Sequence, residues 1–391
     1  LARVRFINSP DDFPQGIMDE KIRSYFPALK NYVYLNSAAV APIPTVSVEA
    51  ILSQLRDVSE NGSVNYSEWL ATKQRSRSLI AEMLKVRPDQ IAFMRNTSDG
   101  LSAIALGLDW EQGCNIVTFE GEFPSNFYPW RMAKERFGVE LRVLRRKNRL
   151  PDIDELISLI DANTKLVAIS FIQFDTGFRS DLERIGKAAR KHDALFAVDI
   201  IQGFGAWELD LPSQLVDIAS GSSHKWLCAP EGCGILYLSD RALERVRPSI
   251  VGWNSVDDPW DFDYKEQRWS QNAKVWESGT SALSLFYGLE QSLKLLNYVG
   301  IAKIQQYLEQ LTDTLCLMLE EKGYYVLSSR LKDEKSQIVS VLPKSGWTST
   351  ELAKFLEKQN IVVSARGEIV RISPHFFNNI EDLQNLIRAL P

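Results

Sequence analysis

Histidine is scarce in this chain, with three among 391 residues, and cysteine is little commoner at four. Cys114, Cys228, Cys233 and Cys316 are scattered without the paired spacing of a disulfide framework, as suits a reducing cytoplasm. Cys228 and Cys233 alone resemble half of a metal site. The other two cysteines lie far off and histidines are few, so no metal is expected. No apolar run approaches the roughly 20 residues of a membrane-spanning helix. The opening Leu1-Ala2-Arg3-Val4-Arg5 leads into polar Asn8-Ser9-Pro10-Asp11-Asp12 rather than the apolar core of a signal peptide. Basic residues do not dominate either: 45 Lys and Arg stand against 50 Asp and Glu, a formal charge of −5 that leaves no footprint for nucleic acid. These absences point to a cytoplasmic protein whose partner is neither membrane nor polyanion. With 24% charged and 45% hydrophobic residues, the length suffices for a large domain and a smaller one, each with its own core.

The chemistry concentrates between Phe196 and Gly234. Phe196-Ala197-Val198-Asp199 reads as a buried strand ending in an acid. An unpaired carboxylate resists leaving water and needs a cationic or protonated partner, such as a pyridinium nitrogen. Some two dozen residues on, Ser222-Ser223-His224-Lys225-Trp226 sets donors suited to a phosphate beside a lysine. A lysine with cationic or apolar neighbours can lose its proton and form a Schiff base. Acid, donors and amine together describe a pyridoxal 5′-phosphate site, with Lys225 joined to the aldehyde and Asp199 opposite the ring nitrogen. Singly, Asp199 has a duller reading as a cap or turn former, and Lys225 as a solvated charge.

The ordered set Asp199-Ile200-Ile201-Gln202, Ser222-Ser223-His224-Lys225 and Ala229-Pro230-Glu231-Gly232-Cys233-Gly234 resembles the class V aminotransferase family of fold type I enzymes, which includes the cysteine desulfurases. The resemblance runs over nearly the whole chain. It implies that Ser222 and His224 bind the phosphate, where a core histidine is the alternative for His224, and that Gln202 bonds the ring hydroxyl oxygen. In Arg95-Asn96-Thr97-Ser98-Asp99-Gly100, hydroxyls open a helix where free N–H groups face an anion; they can cap the helix, but the turn matches the family's phosphate-holding one. Thr97 and Ser98 are therefore assigned to the phosphate. Phe123, in Glu122-Phe123-Pro124-Ser125, matches the ring-stacking aromatic of kynureninases, with core packing as the alternative. Asn36 and Ala38 match a loop that touches substrate, although a plain strand end reads as well. Trp276-Glu277-Ser278-Gly279-Thr280 resembles a signature whose threonine reaches the neighbouring subunit's phosphate, implying a homodimer; a helix N-terminus is the alternative for Thr280. Arg371, in the apolar run Val370-Arg371-Ile372, needs an anion and matches the arginine that grips the substrate carboxylate; a structural ion pair is the alternative. Relatives carry His and Asn where this chain has Phe171 and Phe174, and Gln173 is a candidate substitute for one of them.

Strands read at 90–94, 115–119, 139–144, 166–172, 196–199 and 233–238 alternate with helical stretches at 45–55, 67–84, 101–106, 152–159 and 181–191. That alternation predicts an α/β fold: a mainly parallel, seven-stranded-type sheet sandwiched by helices, with ligands beyond the carboxyl ends of strands. A smaller α+β unit follows. The division is residues 1–44 as an arm and active-site loop, 45–290 as the large cofactor-binding domain and 291–391 as the small domain. The acidic, aromatic stretch Asp257 to Tyr264 is expected to cover the site entrance.

The resulting expectation is an enzyme acting at the α-carbon of an α-amino acid through a Lys225 Schiff base, aminotransferase-like. The alternatives are a lyase, by β- or γ-elimination, carbon–sulfur cleavage or kynureninase-like cleavage, an epimerase, and a catalytically silent binding protein. Desulfurases need a cysteine on a loop shortly before the arginine. The stretch from Ile361 to Glu368 is short and has none, so a persulfide-forming reaction is disfavoured.

Overall fold

The computed structural model describes residues 20–263 and 265–391. The readings placed on the N-terminal stretch 1–19 and on Tyr264 lie outside it. Seven strands form the central sheet in the order Ile91–Met94, Gly234–Leu238, Ile218–Ser222, Leu195–Asp199, Thr164–Ser170, Asn115–Phe119, Glu140–Leu144. Gly234–Leu238 is antiparallel to both of its neighbours and all other pairings are parallel. The protein is thus an α/β fold with a mostly parallel sheet. Ile218–Ser222 carries two serines and a glycine and lacks the apolar signature of its neighbours, so its strand character went unread.

Period-two geometry explains why the inner strands are apolar throughout. Successive side chains point to opposite faces, and here both faces are covered. Leu195–Asp199 sends Phe196 and Val198 into one core and Leu195 and Ala197 into the other. Burying each large side chain is worth about 1.5–3 kcal/mol. The covering helices are set by their ends. In Leu182–Lys191, Leu182, Ile185, Gly186 and Ala189 form the buried stripe, and the Asp181 side chain caps the first turn by accepting the Arg184 N–H at 3.0 Å.

The C-terminal unit is an antiparallel sheet ordered Ser364–Arg366, Ile369–Ile372, Val339–Leu342, Tyr325–Val326, backed by the helices Ile301–Glu321, Ser349–Glu357 and Ile380–Ala389. Val33–Tyr34 pairs in parallel with Ile361–Val362, so the N-terminal arm is stitched to this unit while Ala41 N–H reaches the His224 carbonyl at 2.9 Å. The division at 290/291 falls inside the helix Leu283–Val299, which packs on Thr45–Asn61 and Tyr66–Leu84.

One buried ion cluster ties this packing together. The Glu277 carboxylate lies 2.6 Å from both Lys73 Nζ and Arg77 Nη1 and accepts the Phe93 N–H at 2.9 Å. Burial alone would push its pKa up, but the two cations outweigh that and hold it at about 2, against an ordinary value of 4.5. Because the folded value is depressed, the stabilisation is present above about pH 4.5 and is lost as pH falls toward 2. It amounts to about 3 kcal/mol. Urea unfolding of Glu277→Gln should therefore show a lower midpoint at pH 7 and a shallower loss below pH 4.5 than the wild type; parallel acid limbs would refute this role.

Candidate active site

The carboxyl ends of the parallel strands converge on one cavity of about 230 Å³. Asp199 is the last residue of its strand, paired in register with Ser170 on one side and Ser220 on the other. It is 2% exposed, and its Oδ1 accepts the Ile201 N–H at 2.9 Å. Among the described residues it has no ion pair. Burial raises its pKa, opposed by the Ile201 N–H and by Lys225. Lys225, three residues beyond the strand Ile218–Ser222, lines the cavity. Burial lowers its pKa, the Asp199 charge opposes that, and Arg371 and Arg366 lower it further. The amine is therefore readier to shed its proton than an ordinary lysine, while the acid beneath lacks a cation to touch.

Thr97, Ser98, Ser222 and His224 line the cavity. The helix Thr97–Gly107 points its N-terminus there, with its dipole and free N–H groups. Neither hydroxyl caps it: Asn96 does, accepting the Asp99 N–H at 2.9 Å. That overturns the capping alternative for Thr97 and Ser98. Thr97 Oγ1 is buried without a hydrogen-bond partner, and Ser98 donates to Ser125 at 2.7 Å. Gly100 lets the helix approach this closely, since a Cβ there would meet Ser220 Oγ at 2.4 Å. His224 Nδ1 lies 3.1 Å from the Ser222 hydroxyl; burial and nearby Lys225 lower its pKa, so the ring is neutral at pH 7.

Phe123 is 39% exposed, and its ring centroid lies 5.4 Å from Lys225 Nζ. It faces the cavity rather than packing in the core, which removes its alternative reading. Phe174 meets it edge-on at 5.2 Å. Gln202 also lines the cavity; its amide donates to the Ala38 carbonyl at 3.1 Å and accepts from Trp226 Nε1 at 2.9 Å, leaving a second amide proton. Ala38 lines the wall, its N–H donating to Ser373 Oγ at 3.1 Å. Asn36 does not line it: it bridges to Ser373, and its Oδ1 is buried without a partner. Gln173 is likewise turned away, its amide donating to Glu122 at 2.8 Å.

Arg371 lines the same cavity at 1% exposure. Nη1 donates to the Phe174 carbonyl at 2.7 Å, whereas Nε and Nη2 are buried without partners. Burial, with help from Arg366, pushes its pKa down to about 9. Among the described residues the structural ion pair expected as an alternative is not formed; nearby Asp175 is bonded to Arg146 instead, at 3.0 Å. A guanidinium with two idle donors at a cavity wall suits a carboxylate. Arg366, also on the wall, went unremarked in the sequence, as did Glu122 and Ser125. Arg366 and Arg371 meet because a hairpin pairs Ser364–Arg366 with Ile369–Ile372, a register that spacing alone does not reveal.

Thr280 and the described part of the 257–264 stretch do not line this cavity. Thr280 is exposed and lines a separate cavity with Glu277 and Gly232, and the helix after it starts only at Leu283 with Ala282 before it, so Thr280 is not its N-terminus. The described part of the 257–264 stretch does not cover the first cavity. Trp260 packs instead on Tyr66 and Trp253, with ring centroids 5.9 and 5.5 Å away.

Residues 33–389 match the family model for class-V aminotransferases. The chain belongs to this family. The class-V relatives include a probable cysteine desulfurase of Methanothermobacter thermautotrophicus, 28% identical, covering 95% of this chain and 97% of the relative. Among solved structures, the complex of the cystine C–S lyase C-DES with its product cysteine persulfide is 26% identical, with a TM-score of 0.87 over 93% of this chain and 98% of that one. The apo cysteine desulfurase of Thermococcus onnurineus shares the fold at a TM-score of 0.86 and 22% identity, covering 95% of this chain and 96% of that one. Class-V enzymes depend on pyridoxal phosphate, and the observed groups fit that coenzyme: a buried carboxylate without an ion pair among the described residues, an idle hydroxyl at a helix N-terminus, and an amine of lowered pKa.

Proposed function

We propose that this protein is a pyridoxal phosphate-dependent carbon–sulfur lyase that eliminates sulfur from a sulfur-containing α-amino acid without an enzyme-bound persulfide. The observation that carries the reading is a cavity lined by a buried, half-idle arginine and an amine of lowered pKa, with no thiol on its walls. All four cysteines are buried, and burial pushes the thiol pKa of Cys233 to about 12 and that of Cys228 higher still, so neither is a ready nucleophile. Likeness to desulfurases and to a cystine lyase supports sulfur chemistry over transamination, which is the second reading.

When bound, the coenzyme supplies an electron sink for bonds breaking at the substrate's α- and β-carbons. Lys225 would hold the coenzyme and would serve as general base and acid toward the α-proton. Asp199 would hold a proton at the ring nitrogen. Thr97, Ser98, Ser222 and His224 would hold the phosphate, Gln202 has a spare amide proton for the ring hydroxyl oxygen, and Phe123 would pack against the ring. Arg371 grips the substrate carboxylate by its two idle donors, and Ala38, with Asn36 behind it, shapes the wall beside it. Thr280 would complete the phosphate site of a second copy in a homodimer, for which light scattering should return twice the chain mass.

Incubation with cysteine, cystine and non-sulfur amino acids, with and without an oxo-acid acceptor, separates the readings. Elimination should yield pyruvate, ammonia and sulfide or persulfide from the sulfur substrates without an acceptor. Turnover that requires the acceptor would make the protein a transaminase. Prior alkylation with iodoacetamide should leave at least about half of the activity, because no cavity thiol takes part; a loss beyond tenfold would contradict a thiol-independent route.

A further inference from the structure

Glu122 is 6% exposed and has no ion pair among the described residues. Its carboxylate accepts the Ser170 N–H at 2.8 Å, the Ser170 hydroxyl, the Gln173 amide at 2.8 Å and the Asn126 amide at 3.3 Å. A neutral amide could make most of these ties, and a buried charge without a cation is costly. All four partners are donors, a set that only an ionised carboxylate accepts in full, and the charge this implies calls for a reason. Glu122 immediately precedes Phe123, whose ring faces Lys225. Ser170, which holds Glu122 by two bonds, is the register partner of Asp199, and the Phe171 N–H donates to the Asp199 carbonyl at 2.9 Å. Lys225, Arg366 and Arg371 put three basic groups on the cavity wall.

We infer that Glu122 is a positioning residue whose negative charge, beyond its hydrogen bonds, helps keep the coenzyme protonated while its four ties seat Phe123 against the ring. This rests on the proposal that Lys225 carries pyridoxal phosphate. It acts through Asp199 and Phe123 and touches neither substrate nor coenzyme. Burial raises the Glu122 pKa, the hydrogen bonds from Ser170, Gln173 and Asn126 oppose that by favouring the charged form, and Glu122 in turn raises the pKa of Asp199. The two carboxylates thus sense each other behind the strand ends.

Glu122→Gln removes the charge with little else. The new amide oxygen can still accept from Ser170 N–H and Gln173, and the amide nitrogen can donate to the Ser170 hydroxyl. Asn126 loses one acceptor but stays tied to Trp130 Nε1 at 3.0 Å. The measurement is the pH at which the visible absorbance of the reconstituted holoenzyme titrates. Losing a nearby negative charge makes bound protons more acidic, so the midpoint should fall by about 0.5–1 pH unit in Glu122→Gln. Glu122→Asp, which keeps the charge, should recover at least half of that displacement. An unmoved midpoint in Glu122→Gln overturns the inference, because it means that Glu122 is already neutral or uncoupled. Equal displacement in both variants overturns it too, because hydrogen-bond geometry alone would then explain the result. Should Glu122→Gln fail to fold, Gln173→Met, which removes one donor and so weakens the charged form, should displace the midpoint the same way by less; no displacement refutes the charge's role. A wild-type protein that takes up no coenzyme on Lys225 overturns both this inference and the reading beneath it, and is recognised before any variant is compared.

Discussion

Lys225→Ala is expected to abolish turnover, by about 10⁴-fold or more, equivalent to about 5 kcal/mol of transition-state stabilisation. The side chain is proposed to do two jobs in sequence, tethering the coenzyme and then carrying the α-proton, so one substitution removes both. No neighbour can stand in for it. Lys73, the other buried lysine, lies 2.6 Å from the Glu277 carboxylate and donates to Ser281 at 2.8 Å, and it does not line this cavity. The fold should survive, since burial already disfavours the Lys225 ammonium and the truncated side chain opens onto existing space. Three readouts decide the matter. Wild-type protein reconstituted with pyridoxal phosphate should be yellow, and borohydride should fix the label on Lys225. The variant should lack the label. A small primary amine added to the variant should restore a measurable fraction of the rate. A label found on another lysine, or a variant within tenfold of wild type, would end the assignment.

Arg371→Met should move activity and stability in opposite directions. The guanidinium makes one hydrogen bond and leaves two donors idle in a nearly dry position, an arrangement that costs the free protein several kcal/mol of desolvation. An unbranched apolar side chain of similar length relieves that cost at the loss of about 1 kcal/mol of hydrogen bonding to the Phe174 carbonyl. The apoprotein should therefore unfold at an equal or higher temperature than wild type. Catalysis should fall by about 10²–10³ in kcat/KM, about 3–4 kcal/mol, with most of the change in KM, because the substrate carboxylate loses its charged, two-pronged partner. The same substitution removes a cation that lowers the Lys225 pKa, so the pH at which coenzyme capture by the apoprotein levels off should rise. A variant that is destabilised yet keeps its KM would make Arg371 a structural residue. Strain between stability and function is expected at a site kept ready for a ligand that satisfies it.

Asp199, Ser222, His224 and Lys225 were legible because they are close in sequence and follow an apolar strand, so the local pattern already says where the chain leaves the sheet. Thr97 and Ser98 could be read as a helix start, but that pattern does not distinguish a cap from an anion site. The neighbouring Asn96 takes the cap in the structure, which excludes that reading and leaves the Thr97 hydroxyl without a partner. Gln173 was a candidate for the substrate wall, and Glu122, which holds it, passed unnoticed. A single carboxylate in a loop has no sequence signature until the strand beside it is known.

By itself, the sequence determined the alternation of buried strands and amphipathic helices, the family, the lysine and its acid, and the lack of a loop cysteine. These follow from residue chemistry and short-range periodicity, which are properties of neighbouring positions along the chain. Only the tertiary structure decided that Gly234–Leu238 runs against the other strands, that Arg366 joins Arg371 at one wall, that Phe123 faces Lys225, and that Thr280 turns away from this chain's own cavity. Those facts depend on which strands pair and where the long connections return. They are set by strand register and by packing between elements, which the residue pattern along the chain does not show.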